Sequence, residues 1–250
     1  MSKLYNTWLG YFLYAVCLIS CSVGAKETLQ VAVASNFKTV LQTLLKKSPL
    51  PNVDVKISAA SSGVLYSQIV HGAPFDVFLS ADDFRPQSLI KEGYAEQSSL
   101  ITYALGELAL WQPKAEKVND KVAIANPRFS PYGRASEHYA NNHFKKPINY
   151  VYGNNITHAF QFVQSGNVGV GLVAVSSLKA AYRNTQDQKY LDYTVLPTNQ
   201  YPDIIQQGVI ISSTKKHASA KQLMQFLMAE ATQQQLIELG YRIKDNNASK

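Results

Sequence analysis

After residue 25, short apolar runs alternate with amphipathic stretches along the whole chain. Leu29–Ala34 (LQVAVA) is apolar enough for a strand buried on both faces, and Asn36–Lys47 then carries Phe37, Val40, Leu41 and Leu44 at the spacing of one helical face, with Ser35 or Asn36 as its cap. Val53–Ala60 followed by Gly63–His71 repeats the move, and Gly72-Ala73-Pro74 breaks that helix before a third strand, Phe75–Ala81. Three such units in succession predict βαβ crossovers and a mostly parallel sheet flanked by helices, an α/β fold. Sheets of this kind bind ligands beyond the carboxyl ends of their strands. Ser35, Ser61 and Ser62 all fall at that end.

The run TYALGELALW from Thr102 is too long for one ordinary strand, and Gly106 in its middle marks a bend where the chain leaves one lobe for another. A second series then begins: strands at Val122–Ala125, Asn149–Tyr152, Val168–Val175 and Tyr193–Leu196, with helices at Gly133–Asn141 and Ile156–Gln164. Ile204–Ser212 reads as the return crossing, and helices at Ala218–Ala229 and Glu230–Leu239, stopped by Gly240, rejoin the first lobe. The expected division is a discontinuous first lobe of residues 26–105 and 207–250, and a second lobe of residues 106–206.

Residues 1–25 have the form of an export signal: Lys3, an apolar Leu9–Ile19 too short to span a membrane comfortably, and small residues at Val23-Gly24-Ala25. A soluble periplasmic protein is expected. Leu18-Ile19-Ser20-Cys21 also has the form of a lipobox, which would anchor the chain by a lipid on Cys21. Cys17 and Cys21 both lie in this segment, so cleavage after Ala25 leaves no thiol chemistry. The full chain carries 24 basic and 17 acidic residues, a net charge of +7, without the basic runs interleaved with aromatics that suit nucleic acid. Such a surface can steer an anion.

Three strand-to-helix junctions carry polar or small residues: Ala34-Ser35-Asn36, Ala60-Ser61-Ser62-Gly63 and Asn154-Asn155-Ile156-Thr157. Each presents N–H groups at the positive end of a helix dipole, which favours negative charge by about 0.3–1 kcal/mol when exposed and about 2 kcal/mol when partly buried. Taken singly, such serines are ordinary caps. Ser61-Ser62 beside Gly63 is the least cap-like, since one hydroxyl suffices for a cap. Asp76 and Asp82 stand at opposite ends of a strand and read as fold supports, Arg134 as a solvated helix-start arginine, and His71, His138, His143, His158 and His217 lack metal-ligand spacing.

The succession VAVASNF, ISAASSGVLYSQI, GAPFDVFLSAD, ANPRFSPYG and GNNITHAFQFVQSGNVGVGLVAVSS resembles the molybdate-binding periplasmic proteins of ABC transporters along nearly the whole chain after residue 25. The resemblance implies a two-lobed type II binding-protein fold whose cleft holds an oxyanion by hydroxyls and backbone N–H groups, with no cofactor and no bare metal ion. Carried over by position, the ligand-binding residues are Ser35, Asn36, Ser62, Tyr132 and Ile156, with the adjacent Ser61 either a further member of the set or only a cap. Some members place a tyrosine in the segment matching GLVAVSS, where this chain has Ala174; Tyr132 and Asn36 match the set used by another branch. The implied function is capture of molybdate or tungstate, without catalysis, by a monomer that delivers it to a membrane ABC permease. The alternatives are a binder or sensor of another oxyanion or organic anion, and a hydrolase with Ser62 as nucleophile and His158 as base. The hydrolase reading lacks a Gly-x-Ser-x-Gly elbow, since the segment reads Ala60-Ser61-Ser62-Gly63-Val64.

Overall fold

The structure, a computed structural model, describes residues 26–113 and 121–243. The expected leader with Cys17 and Cys21 lies outside these residues. Two sheets with helices packed on them form two lobes. The first sheet contains β1 (Glu27–Ala34), β2 (Val53–Ala60), β3 (Val77–Ser80), β4 (Ile101–Gly106), β10 (Ile204–Ile210) and β11 (Tyr241–Arg242), in the order β11-β4-β10-β3-β1-β2. The second contains β5 (Leu108–Trp111), β6 (Lys121–Ala125), β7 (Asn149–Gly153), β8 (Val170–Ala174) and β9 (Tyr193–Val195), in the order β7-β6-β8-β5-β9.

β1, β2 and β3 pair in parallel, as do β6, β7 and β8, because helical crossovers return each strand in the same direction. β10 runs antiparallel to both β3 and β4. It enters from the second lobe, so its direction is set by that crossing and not by a βαβ unit. All of Ile204–Ile210 lies in the first sheet. The outward crossing is a single residue, Glu107, whose carbonyl accepts from Val175 N at 3.1 Å. At Gln206/Gln207 the register slips and Tyr103 of β4 is left without a directly opposite residue, a bulge that re-aims the side chains around it.

The helices are α1 (Ser35–Lys47), α2 (Ser62–Val70), α3 (Phe84–Lys91), α4 (Pro131–His143), α5 (Ile156–Gln164), α6 (Val175–Thr185), α7 (His217–Met228) and α8 (Glu230–Glu238). In α1 the predicted face of Phe37, Val40, Leu41 and Leu44 is buried, while Lys46 and Lys47 occupy the last turn, where cations complement the dipole. Neither Ser35 nor Asn36 caps this helix: the cap position is Ala34, with no side-chain hydrogen bond. Three elements escape the sequence pattern. They are α3, α6, which follows β8 with only Ala174 at the join, and the two-residue β11.

The first sheet buries apolar side chains on both faces, one layer around Phe37, Leu41 and Leu223, the other around Leu65, Phe78 and Leu89. A third layer centres on Trp111, Phe160 and Val173. The fourth joins the two lobes: Ala34 and Ala81 from the first pack with Tyr132, Ile156 and Leu172 from the second.

Trp111 is fully buried, its ring stacked on Phe160 at 5.0 Å between centroids and its indole N–H donating to Lys189 O at 2.9 Å. Trp111→Ala is expected to cost about 3–5 kcal/mol in urea unfolding. Phe84→Ala, at a ring 68% exposed, should stay within about 0.5 kcal/mol of the parent protein.

Candidate functional site

A helix leaves its first-turn N–H groups without intrahelical acceptors, so the site can be built by asking where each of these donors goes. In α2, Gly63 N donates to Phe129 O at 2.9 Å, and Val64 and Leu65 N both reach Ser61 O. In α4, Pro131 has no N–H, Gly133 N donates to Ser130 Oγ at 3.3 Å, and Arg134 N to Ser130 O. In α5, His158 N donates to Asn155 Oδ1 at 3.1 Å and Ala159 N to Asn155 O. The donors these caps do not use belong to Ser62, Tyr132, and Ile156 with Thr157. In α1, where no side chain caps, the first-turn N–H groups are those of Ser35, Asn36 and Phe37.

Contacts between the lobes bring these helix starts together. Thr157 Oγ1 donates to Ser35 O at 3.3 Å, tying the start of α5 to that of α1. The Gly63–Phe129 bond ties the start of α2 to the loop that enters α4. A methyl group on Gly63 would lie 2.9 Å from Phe129 O and 2.8 Å from an Arg85 nitrogen, so this approach requires glycine. Tyr132 and Ile156 share the interlobe apolar layer with Ala34, which precedes α1, and Ala81. Beside the helix starts, a cavity of about 220 Å³ runs between α1, α5 and α6, lined by Ser35, Asn36, Thr157, Gln164, Ser176 and Ser177 among others. Ser62, Tyr132 and Ile156 are not part of that lining.

The candidate side chains behave differently from one another. Ser62 is fully buried, and its Oγ accepts from Ala81 N at 3.0 Å, which leaves the hydroxyl proton to be donated elsewhere. Ser61 occupies the cap position of α2, yet its buried hydroxyl makes no hydrogen bond, so it caps nothing through its side chain. The Asn36 amide is engaged away from the other helix starts, donating to Gln206 Oε1 at 3.0 Å and to the Tyr241 hydroxyl at 2.9 Å. Its backbone is therefore what it can offer a ligand. The Tyr132 hydroxyl is also turned away: it points at the crossing, where a methyl group on Gly106 would lie 2.4 Å from it. Burial, with Tyr241 and Tyr201 nearby, pushes this phenol well above its usual range and keeps it protonated. Ala174, the position where some family members carry tyrosine, is the fully buried end of β8.

Arg85 and Arg134, beside the starts of α2 and α4, are both paired with one carboxylate. Arg134 is not merely solvated as its helix-start position suggested: its Nη2 donates to Asp82 Oδ2 at 2.9 Å, joining the second lobe to the first. Asp82 also binds Arg85 through its Nη1, accepts from Arg85 N, and accepts from Ser80 Oγ at 2.9 Å. Burial pulls the Arg85 guanidinium below its usual value, while Asp82 opposes that shift. Asp76 supports the fold, accepting from Gln30 N at 2.7 Å, Thr214 Oγ1 at 2.7 Å and Lys216 Nζ at 3.0 Å. Among the described residues no hydrogen bond joins Ser62 to His158, and the nucleophile–base pair that hydrolysis would need is not assembled.

The model of a family described as bacterial extracellular solute-binding protein matches residues 29–242. A molybdate-binding protein ModA of Azotobacter vinelandii is 32% identical over 244 residues, covering 91% of this chain and 94% of that protein. One from Rhodobacter capsulatus is 34% identical over 193 residues, covering 72% and 74%. The solved periplasmic molybdate-binding protein of Azotobacter vinelandii superposes with a TM-score of 0.76 at 30% identity, over 86% of this chain and 99% of that one. The sulfate-binding protein SubI of Mycobacterium tuberculosis H37Rv shares the fold at 12% identity, with a TM-score of 0.70 over 88% of each chain. Two lobes with their unspent helix N-termini turned toward each other, together with this match over nearly all the described residues, place the chain among the bacterial extracellular solute-binding proteins.

Proposed function

We propose that this protein captures molybdate, with tungstate a close second, in the cleft between its lobes and delivers it to an ABC permease, acting outside the cytoplasm as a monomer. The observation that carries this reading is the set of first-turn N–H groups left over at four helix starts, two from each lobe. Ser35, Asn36, Ser62, Tyr132 and Ile156 are the residues among them that hold the anion, Ser62 adds its hydroxyl proton, and Ser61 stands beside them. Neutral donors at dipole ends can balance a dianion without a dedicated cation. The relatives named for molybdate binding support the choice of ligand.

The protein performs no chemistry in this reading and has no nucleic-acid partner. It needs neither a cofactor nor a bare metal ion, since molybdenum arrives inside its oxyanion. Selectivity follows from the fixed directions of the N–H groups. Sulfate has the same charge but a smaller radius, so it cannot reach every donor at once, and each donor left unpaired costs about 1–3 kcal/mol.

Isothermal titration is expected to give dissociation constants below about 1 μM for molybdate and tungstate, worth more than about 8 kcal/mol. Sulfate and phosphate should bind at least about a thousandfold more weakly, about 4 kcal/mol. Sulfate affinity equal to that for molybdate would refute the proposal. Ser62→Ala removes one hydrogen bond to the anion and should weaken molybdate by about 1.5–3 kcal/mol, roughly ten- to 150-fold in dissociation constant.

The two ends of the interlobe ion pair should respond unequally in urea unfolding. Asp82→Ala strands the Arg85 side chain, only 9% exposed, and is expected to cost about 3–5 kcal/mol. Arg134→Ala removes a side chain that is 43% exposed and should cost under about 1 kcal/mol. Stopped-flow release of molybdate should be faster in Arg134→Ala, since the ion pair it loses joins the lobes.

A further inference from the structure

We propose that Tyr241, with Gln206, is a positioning residue for the anion site: it fixes the first turn of α1 by gripping Asn36, and so sets the direction of the N–H groups that α1 contributes. The inference rests on the oxyanion-binding reading of the cleft and assigns a role to two residues that touch no ligand.

The grip is double. The Tyr241 hydroxyl accepts from Asn36 Nδ2 at 2.9 Å and donates to Asn36 O at 3.2 Å, so it holds both the side chain and the backbone of one residue. Gln206 Oε1 takes the same Asn36 amide at 3.0 Å, and the Tyr103 hydroxyl reaches that oxygen at 3.5 Å and Ser80 O at 3.3 Å. All four side chains are buried, with Gln206 and Tyr103 fully enclosed. A buried network of this kind specifies one arrangement, because any other would leave polar atoms unpaired without access to water. The bulge that leaves Tyr103 unopposed on β4 lies directly beside Gln206.

The network also gives the two-residue strand β11 a role. β11 pairs Tyr241 with Gly106 and Arg242 with Leu105, and the Tyr241 ring packs edge-on against Phe37 at 5.7 Å, one residue beyond Asn36 in α1. The pairing brings the Tyr241 hydroxyl to the start of α1 from a point more than 200 residues away in sequence. The Ser176 side chain of α6, in the second lobe, lies beside Tyr241, so the same phenol borders both lobes.

Tyr241→Phe keeps the ring and removes both bonds to Asn36. Titration of this variant is expected to show molybdate about tenfold weaker and sulfate changed by less than about twofold, which narrows the selectivity ratio about tenfold. In an Asn36→Ala background the same change should cost less than about threefold, the non-additivity expected of residues in one network. Gln206→Met should behave like Tyr241→Phe and carries the test if the tyrosine variant folds poorly. Unchanged molybdate affinity, an equal loss for both anions, or an equal loss in both backgrounds would each overturn the proposal. If the parent protein binds none of these oxyanions, the functional reading fails. The positioning role is then decided without ligand, by hydrogen exchange of the Thr39–Leu41 amides, whose helical acceptors are the carbonyls of Ser35–Phe37. Exchange about tenfold faster in Tyr241→Phe supports the role and unchanged exchange overturns it.

Discussion

A helix cannot satisfy the N–H groups of its own first turn, and this deficit organises the molecule. Three of the four helix starts at the interlobe cleft meet part of the deficit locally: Ser130 and Asn155 cap through their side chains, and the Ser61 carbonyl takes two donors of α2, while α1 has no side-chain cap. The donors that remain lie on both lobes, where an anion can serve as their shared acceptor. The same geometry explains the apolar setting. Ala34, Ala81 and Ile156, next to these donors in the chain or the fold, belong to the interlobe apolar layer, and in such low-dielectric surroundings a dipole acts more strongly.

The lobes meet through a few contacts of different strength. The Gly63–Phe129 and Thr157–Ser35 bonds bind backbone to backbone and side chain to backbone, and both use groups next to first-turn N–H groups left over by the caps. The Arg134–Asp82 pair is longer in reach and half exposed at the arginine end. Asp82 would repel an anion if it stood alone. Two guanidinium groups share it, so the cluster of Asp82, Arg85 and Arg134 has a net positive charge when the lobes touch. A cleft closed by modest, separable contacts suits a protein that must grip its cargo and then let it go.

The strand–helix junctions, a break within one residue of Gly106, the helix start after Asn155 and the match to a binding-protein family were legible in the sequence, because they depend on local spacing: apolar runs of strand length, amphipathic runs of helix length, and Ser, Asn or Pro at the joins. α3 was hidden by its shortness and by Pro86 inside it, and α6 because the strand residues of β8 run into Val175 with no turn signal between them. β11 had no pattern to show, since two residues have no period and the strand exists only through its pairing with β4.

Side-chain direction belonged to the tertiary structure. Sequence placed Asn36, Ser61 and Tyr132 at helix starts and gave no means to tell a ligand-facing group from one facing away. Folding turned the Asn36 amide toward Gln206 and Tyr241 and the Tyr132 hydroxyl toward Gly106, and left the Ser61 hydroxyl unbonded. The chain by itself placed the starts of α1, α2, α4, α5, α7 and α8 to within a residue or two, because capping and periodicity act over a few residues. Which of those positions keeps a donor for the cleft was decided only when strands far apart in sequence paired and the two lobes met, because a hydrogen bond is allotted by distance in space.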